Sequence, residues 1–165
     1  MPEVTLSRPS DHVAVIRIDR PEAMNALSLS VSQQIADIVN QLNEDDETRV
    51  IVLTGVGRGF CSGADLKSRA TSAEIGPEAV GARGSHEGPD ATRQHFFHGF
   101  TKLHRDISLI RKPTIAMING AAVGSGMDMS LHCDIRIGCE ATRFIAYQQA
   151  GQIIENGGCY YLPKL

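Results

Sequence analysis

Four short runs rich in β-branched residues punctuate this chain: VAVIRI (Val13–Ile18), VIVLTG (Val50–Gly55), KPTIAMING (Lys112–Gly120) and DIRIGCE (Asp134–Glu140). Each has the length and composition of a strand. The stretches between the first three are too long for hairpins and carry helical periodicity. After the first, Val31, Ile35, Ile38, Val39 and Leu42 fall on one helical face, with Ser28 or Ser30 as candidate N-cap. Before the third, a helix is expected from about Thr92 to about Ile110, with Phe96, Phe97, Phe100, Leu103, Ile107 and Ile110 on its buried side. A short helix should follow the turn Gly124–Gly126, and another should begin near Gly157. Strands alternating with helices predict an α/β fold. VIVLTG shows no polar alternation, which predicts a strand buried on both faces. Lys67–Asp90, rich in Gly, Ala, Ser and Glu, predicts a loop with short helical pieces. NEDDE (Asn43–Glu47) reads as a solvated helix end.

At 165 residues the chain is one domain or part of one. A net charge of -3 with no Lys/Arg block argues against a broad nucleic-acid footprint. The four cysteines, at 61, 133, 139 and 159, form no CxxC or zinc-ligand spacing. His95, His98 and His104 lie on or near one helix, where surface or helix-end roles are expected; no metal site is predicted. The opening MPEVTLSRPSDHVAVIRIDRP lacks the basic and apolar regions of a signal peptide, and no run is long enough to span a bilayer. The expectation is a reduced protein of the cytoplasm, or of mitochondria or peroxisomes in a eukaryote, not a secreted one.

Two glycine-rich stretches need an explanation. GRGFCSGADL (Gly57–Leu66) follows the second strand, and VGSGMD (Val123–Asp128) follows the third. A dinucleotide fingerprint would place a third glycine where GVGRGF has Phe60 and GSGMDM has Met129. A P-loop would need Gly-Lys-Ser/Thr, which the chain lacks. Two readings remain open on spacing alone. Both stretches are tight turns, or they present backbone N–H groups to a developing oxyanion.

The segments DRPEAMNALS, VIVLTGVGRGFCSGADL, KPTIAMINGAAVGSGMDMSLHCDIRI and GQIIENGGCYYLPKL occur in this order. Together they resemble the enoyl-CoA hydratase/isomerase family, the crotonase superfamily, over nearly the whole chain except Ser68–Asp90. The resemblance implies an α/β, crotonase-like (ClpP/crotonase) spiral of strand–strand–helix turns that binds acyl-CoA in a bent shape. It implies residues 1–165 as a single N-terminal core, ending before the family's C-terminal helical and trimerisation region. A homotrimer or dimer of trimers is then expected of the family. No cofactor is expected beyond the coenzyme A carried by the substrate, and neither nucleic acid nor membrane is an expected partner.

By the same resemblance, the oxyanion donors are the N–H groups of Ala64, in SGAD, and Ser125, in GSG. Ser125 stands where the family has a glycine. Ala23, Met24, Ala26, Asp65, Leu66, Gly124 and Tyr147 are implied along the substrate path. Family hydratases hold a water with two glutamates. Here Asp128 stands at the first position, and Tyr147 or Gln148 at the second. Glu155, before the last glycine pair, stands where family isomerases carry an acid. Asp128 and Glu155 are therefore the implied catalytic acids, with double-bond isomerisation favoured and hydration the alternative. An inactive acyl-CoA-binding or oligomerisation fragment is the other alternative. Such acids need an apolar pocket, which Met127, Ile153 and Ile154 are expected to supply. Cys61 is expected to pack rather than act as a nucleophile.

Overall fold

The computed structural model describes residues 2–65, 100–146, 154 and 156–165. Among these, a five-stranded sheet is built from β1 (Val4–Ser10), β2 (Val13–Ile18), β3 (Val50–Gly55), β5 (Thr114–Ile118) and β7 (Ile135–Gly138), in the order β1-β2-β3-β5-β7. A three-stranded sheet is ordered β4-β6-β8, from Gly59–Cys61, Ala121–Val123 and Arg143–Ile145. Among the described residues only β1 and β2 pair antiparallel. The other pairings, β2–β3, β3–β5, β5–β7, β4–β6 and β6–β8, are all parallel.

The connections make the pattern clear. Each strand of the large sheet from β3 onward is followed within a few residues by one of the small sheet. Helix α1 (Leu29–Glu44) precedes β3, α2 (Phe100–Ser108) precedes β5, and α3 (Ser125–Leu131) follows β6. A last helix, α4 (Gly158–Tyr161), follows β8. Repeated strand–strand–helix turns stack so that β3, β5 and β7 align in one sheet and β4, β6 and β8 in the other. This is the predicted α/β spiral.

The core lies under one face of the large sheet. Ile16, Ile18, Ile51, Leu53, Ala116 and Ile118 from the strands meet Val31, Ile35, Val39 and Leu42 of α1 and Leu103 and Ile107 of α2. Ser28 is the N-cap of α1: its Oγ accepts a hydrogen bond from Val31 N at 3.1 Å. The expected burial of β3 on both faces is corrected. Ile51 and Leu53 are buried, whereas Val50 and Val52, pointing to the other face, are only half-buried. That face continues through Met117, Ile135 and Ile137, which are exposed. Parallel strands alternate faces like any others, and here helices cover one side.

Four strands escaped the sequence reading. β1 carries Arg8 and Pro9 where its pairing with β2 slips, an irregularity an edge strand tolerates. β4, β6 and β8 have three residues each. Among the described residues no helix is long and apolar enough to cross a membrane.

Candidate active site

The SGAD block is held by the DRPEAMNALS loop. Leu27 N donates to Gly63 O at 2.7 Å, and Asp65 N donates to Leu27 O at 2.9 Å. Leu27 and Ala64 thus form a parallel bridge in which the residues flanking Ala64 make the bonds. The alternation of extended backbone turns the Ala64 N–H to the side away from Leu27. Ser62 N donates to Met24 O at 3.0 Å, fixing the other end of the block.

Gly63 brings this block against the second turn. Its φ is 86°, and a β-carbon there would fall 2.8 Å from Val123 O and 3.5 Å from Ser125 N. Only glycine combines that backbone with that approach. The two glycine-rich stretches, more than 50 residues apart in sequence, therefore meet where Gly63 approaches Val123 and Ser125.

The second turn resolves the departure at position 125. Gly124 is the N-cap of α3 with φ 52° and ψ −119°, so the demand for glycine falls there. Ser125 opens the helix without positive φ and is buried. Its carbonyl oxygen and its Oγ lie 3.0 and 3.3 Å from His104 Nε2. The serine side chain therefore faces the protein interior. His104 is itself buried, which corrects the surface role expected of it.

Asp128 lies in the first turn of α3 and is fully buried. Its N–H donates to Gly124 O at 2.9 Å, so the acid is one helical turn from the glycine turn. Its carboxylate meets the entry to α4: a β-carbon on Gly158 would collide with Asp128 Oδ1 and with Ile154 Cγ2. Met127 is buried beside it in the chain and Ile154 is half-buried. Asn156, with φ 48°, and Gly157, with φ 91°, form the left-handed turn into α4. The Asn156 carbonyl lies 2.7 Å from His132 Nε2. Glu155, Leu66, Tyr147 and Ile153 lie outside the described residues, as do His95 and His98.

The residues implied along the substrate path have concrete surroundings. Ala23 and Met24 are half-buried and Ala26 is buried, in the loop that holds the SGAD block. Asp65 is buried, and its Oδ2 pairs with Arg20 Nη1 at 2.9 Å. Arg20 also donates to the Ala26 carbonyl at 2.8 Å, so this ion pair braces the loop. Burial pushes the Cys61 thiol up to about 12, which leaves it protonated and unreactive near neutral pH. Cys61 and Cys133 are buried, and Cys139 and Cys159 are exposed.

Two asparagines that sequence reasoning passed over hold the turn leading into β4. Asn25 donates from Nδ2 to Val56 O at 2.9 Å and to Gly59 O at 2.8 Å. Asn119 donates to Gly57 O at 2.8 Å and to Gly59 O at 3.1 Å. Each lies beside a motif already singled out, in MNAL and in ING, and an asparagine next to a glycine-rich turn is the signal that could have marked them. A solvent-open depression at the β1–β2 turn, lined by residues such as Arg8, His12 and Asp45, shares no residue with this constellation. Its Arg8 is bound to Asp45 at 2.5 Å.

Comparison with known proteins agrees with this fold. The family model described as enoyl-CoA hydratase/isomerase matches residues 8–165. The 1,2-epoxyphenylacetyl-CoA isomerase of Escherichia coli K12 is 32% identical over 168 residues, covering 100% of this chain and 59% of its own length. The mitochondrial 3-hydroxyisobutyryl-CoA hydrolase of Xenopus laevis is 32% identical over 153 residues, covering 92% of this chain and 36% of its own. The crystal structure of an enoyl-CoA hydratase from Bacillus anthracis superposes with a TM-score of 0.83 at 32% identity, over 99% of this chain and 58% of the other. The chain thus spans between about a third and three-fifths of the length of these relatives. The spiral of strand–strand–helix turns, the two meeting glycine turns and the family match over residues 8–165 together establish that this chain belongs to the enoyl-CoA hydratase/isomerase family.

Proposed function

We propose that this chain acts on an unsaturated acyl-CoA and moves its double bond. The observation that carries the reading is the meeting of the Gly63–Ala64 and Gly124–Ser125 turns, with the buried Asp128 one helical turn beyond. The thioester oxygen would accept hydrogen bonds from the Ala64 and Ser125 N–H groups. A carboxylate removes a proton from C2 of a 3-enoyl thioester, and the electrons pass into a dienolate whose negative oxygen those donors hold. The carboxylic acid then returns the proton to C4, leaving the double bond between C2 and C3. Each donor contributes roughly 3–4 kcal/mol to the barrier reduction. Asp128 and Glu155 are the acids assigned to this transfer, with Glu155 assigned from its place in the sequence pattern. The likeness to a 1,2-epoxyphenylacetyl-CoA isomerase supports an isomerisation on a CoA thioester.

Hydration is the second reading, favoured by the likeness to an enoyl-CoA hydratase structure. There the same two carboxylates would hold one water. Residues 1–165 are taken as one core unit, and assembly as a homotrimer or a dimer of trimers belongs to the same proposal, open to sedimentation analysis. The reaction calls for no group beyond the coenzyme A of the substrate. Incubation with 3-enoyl-, 2-enoyl- and dienoyl-CoA separates the readings. An absorbance change at constant mass marks isomerisation, and a mass gain of one water marks hydration. Binding without turnover of any thioester would replace both with an acyl-CoA-binding role.

A further inference from the structure

Two imidazoles lie behind the site, one against each of the turns that shape it. We infer that His104 and His132 are paired positioning residues, which donate Nε2–H to the Ser125 and Asn156 carbonyls and so fix the oxyanion turn relative to the turn entering α4. This inference rests on the reading of Ala64 and Ser125 as the oxyanion donors.

The proton positions follow from the acceptors. A carbonyl oxygen has no proton to give, so a ring nitrogen 3.0 Å from Ser125 O, as in His104, must carry one. The same holds for His132 Nε2, 2.7 Å from Asn156 O. His104 Nε2–H is shared with Ser125 Oγ at 3.3 Å, which gives the serine at this position a use that glycine lacks. His132 Nδ1 is buried and has no hydrogen-bond partner. A lone pair there is tolerable, whereas a proton there would be a buried donor with no acceptor. His132 is therefore the neutral Nε2–H tautomer, and burial lowers its pKa in agreement.

The rings also set the spacing. Their centroids are 5.6 Å apart, and the far side of His132 packs edge-on against Tyr161 of α4 with centroids 4.9 Å apart. Gly157 closes over the same ring: a β-carbon there would fall 3.2 Å from His132 Cε1. His104 belongs to α2, His132 ends α3 and Tyr161 belongs to α4, so three helices are tied through one stack of rings. The Gly157 carbonyl accepts from the Tyr160 and Tyr161 N–H groups, while the Asn156 carbonyl accepts from His132.

A conjugated enoyl-CoA whose absorption moves to longer wavelength as its carbonyl is polarised provides a readout independent of turnover. Bound to the wild-type chain, it should show the red shift. His104→Leu and His132→Leu should keep CoA-thioester binding, measured by calorimetry, and lose most of the shift. His104→Gln and His132→Gln, which retain an N–H donor, should recover it. Nitrogen-15 spectra of the wild-type chain should show a proton on Nε2 of both rings, with His132 as the neutral Nε2–H tautomer at neutral pH. An undiminished shift in folded leucine variants overturns the positioning role and leaves the oxyanion reading standing. A wild-type complex without any red shift overturns the oxyanion reading, and this inference with it. If the leucine variants do not fold, the ring spectra decide: a ring with no proton on Nε2 at either position, or an imidazolium at His132, overturns the inference.

Discussion

Position 63 has no room for a side chain, because the next neighbours are the Val123 carbonyl and the Ser125 nitrogen. Gly63→Val should part the two turns and lower thioester turnover by about 100-fold or more, the loss expected when one oxyanion donor is displaced; steady-state kinetics check this. Glu155→Gln should abolish isomerisation while acyl-CoA binding persists, as read by calorimetry beside the absorbance assay. The histidines show where residue-scale reading of a sequence stops. His104 looks like any polar residue on a helix, since its acceptor is a carbonyl 21 positions away that only the fold supplies. Ser125 was legible as a departure from the family glycine, but not the fact that Gly124 carries the unusual backbone. His132 also links the site to stability. Burial lowers its pKa below the ordinary 6.5, outweighing the Asn156 hydrogen bond, and His104 nearby lowers it further. With the folded pKa below the unfolded one, the unfolded chain binds the proton first as pH falls. Stability should therefore hold above about pH 6.5 and decline as pH drops below it, and His132→Gln should flatten that decline in thermal unfolding.

At the scale of elements, the long ones were legible and the short ones were not. α1 declares itself by periodicity and by Ser28, whose Oγ accepts from Val31 N. Ser28→Ala should cost about 1 kcal/mol in urea unfolding with little effect on activity. α2 is fixed to α1 by more than Leu103 and Ile107. Asn40 Nδ2 donates to Asp106 Oδ2 at 3.1 Å, and Lys102 Nζ donates to the same oxygen at 2.6 Å. Burial pushes the Asp106 carboxyl up, yet the hydrogen bonds from Lys102, Asn40 and Arg105 together hold it below its usual range. β2, β3, β5 and β7 were marked by β-branched runs. β4, β6 and β8 were hidden, because three residues such as GFC or AAV make no pattern of their own. They are strands because the preceding turn of the spiral offers a partner, and that partner is distant in sequence. The half-exposed second face of β3 was missed for a related reason. An unbroken apolar run does not reveal that helices cover one side and leave Met117, Ile135 and Ile137 open on the other.

For the whole molecule, the order β1-β2-β3-β5-β7 means that each turn of the spiral is completed by the next, not by its own loop. The join between Asp65 and Phe100 is bridged three times over in space. β3 pairs with β5, β4 pairs with β6, and α1 packs on α2 through Asn40 and Asp106. Covalent continuity at that join is thus one link among several. Two separately produced polypeptides, together carrying the whole sequence and cut once between Asp65 and Phe100, should assemble into a split protein. They should co-elute in gel filtration and regain parallel-sheet structure only on mixing. A Gly63→Val first piece should assemble less well, because its misfit lies on the seam where the two halves meet.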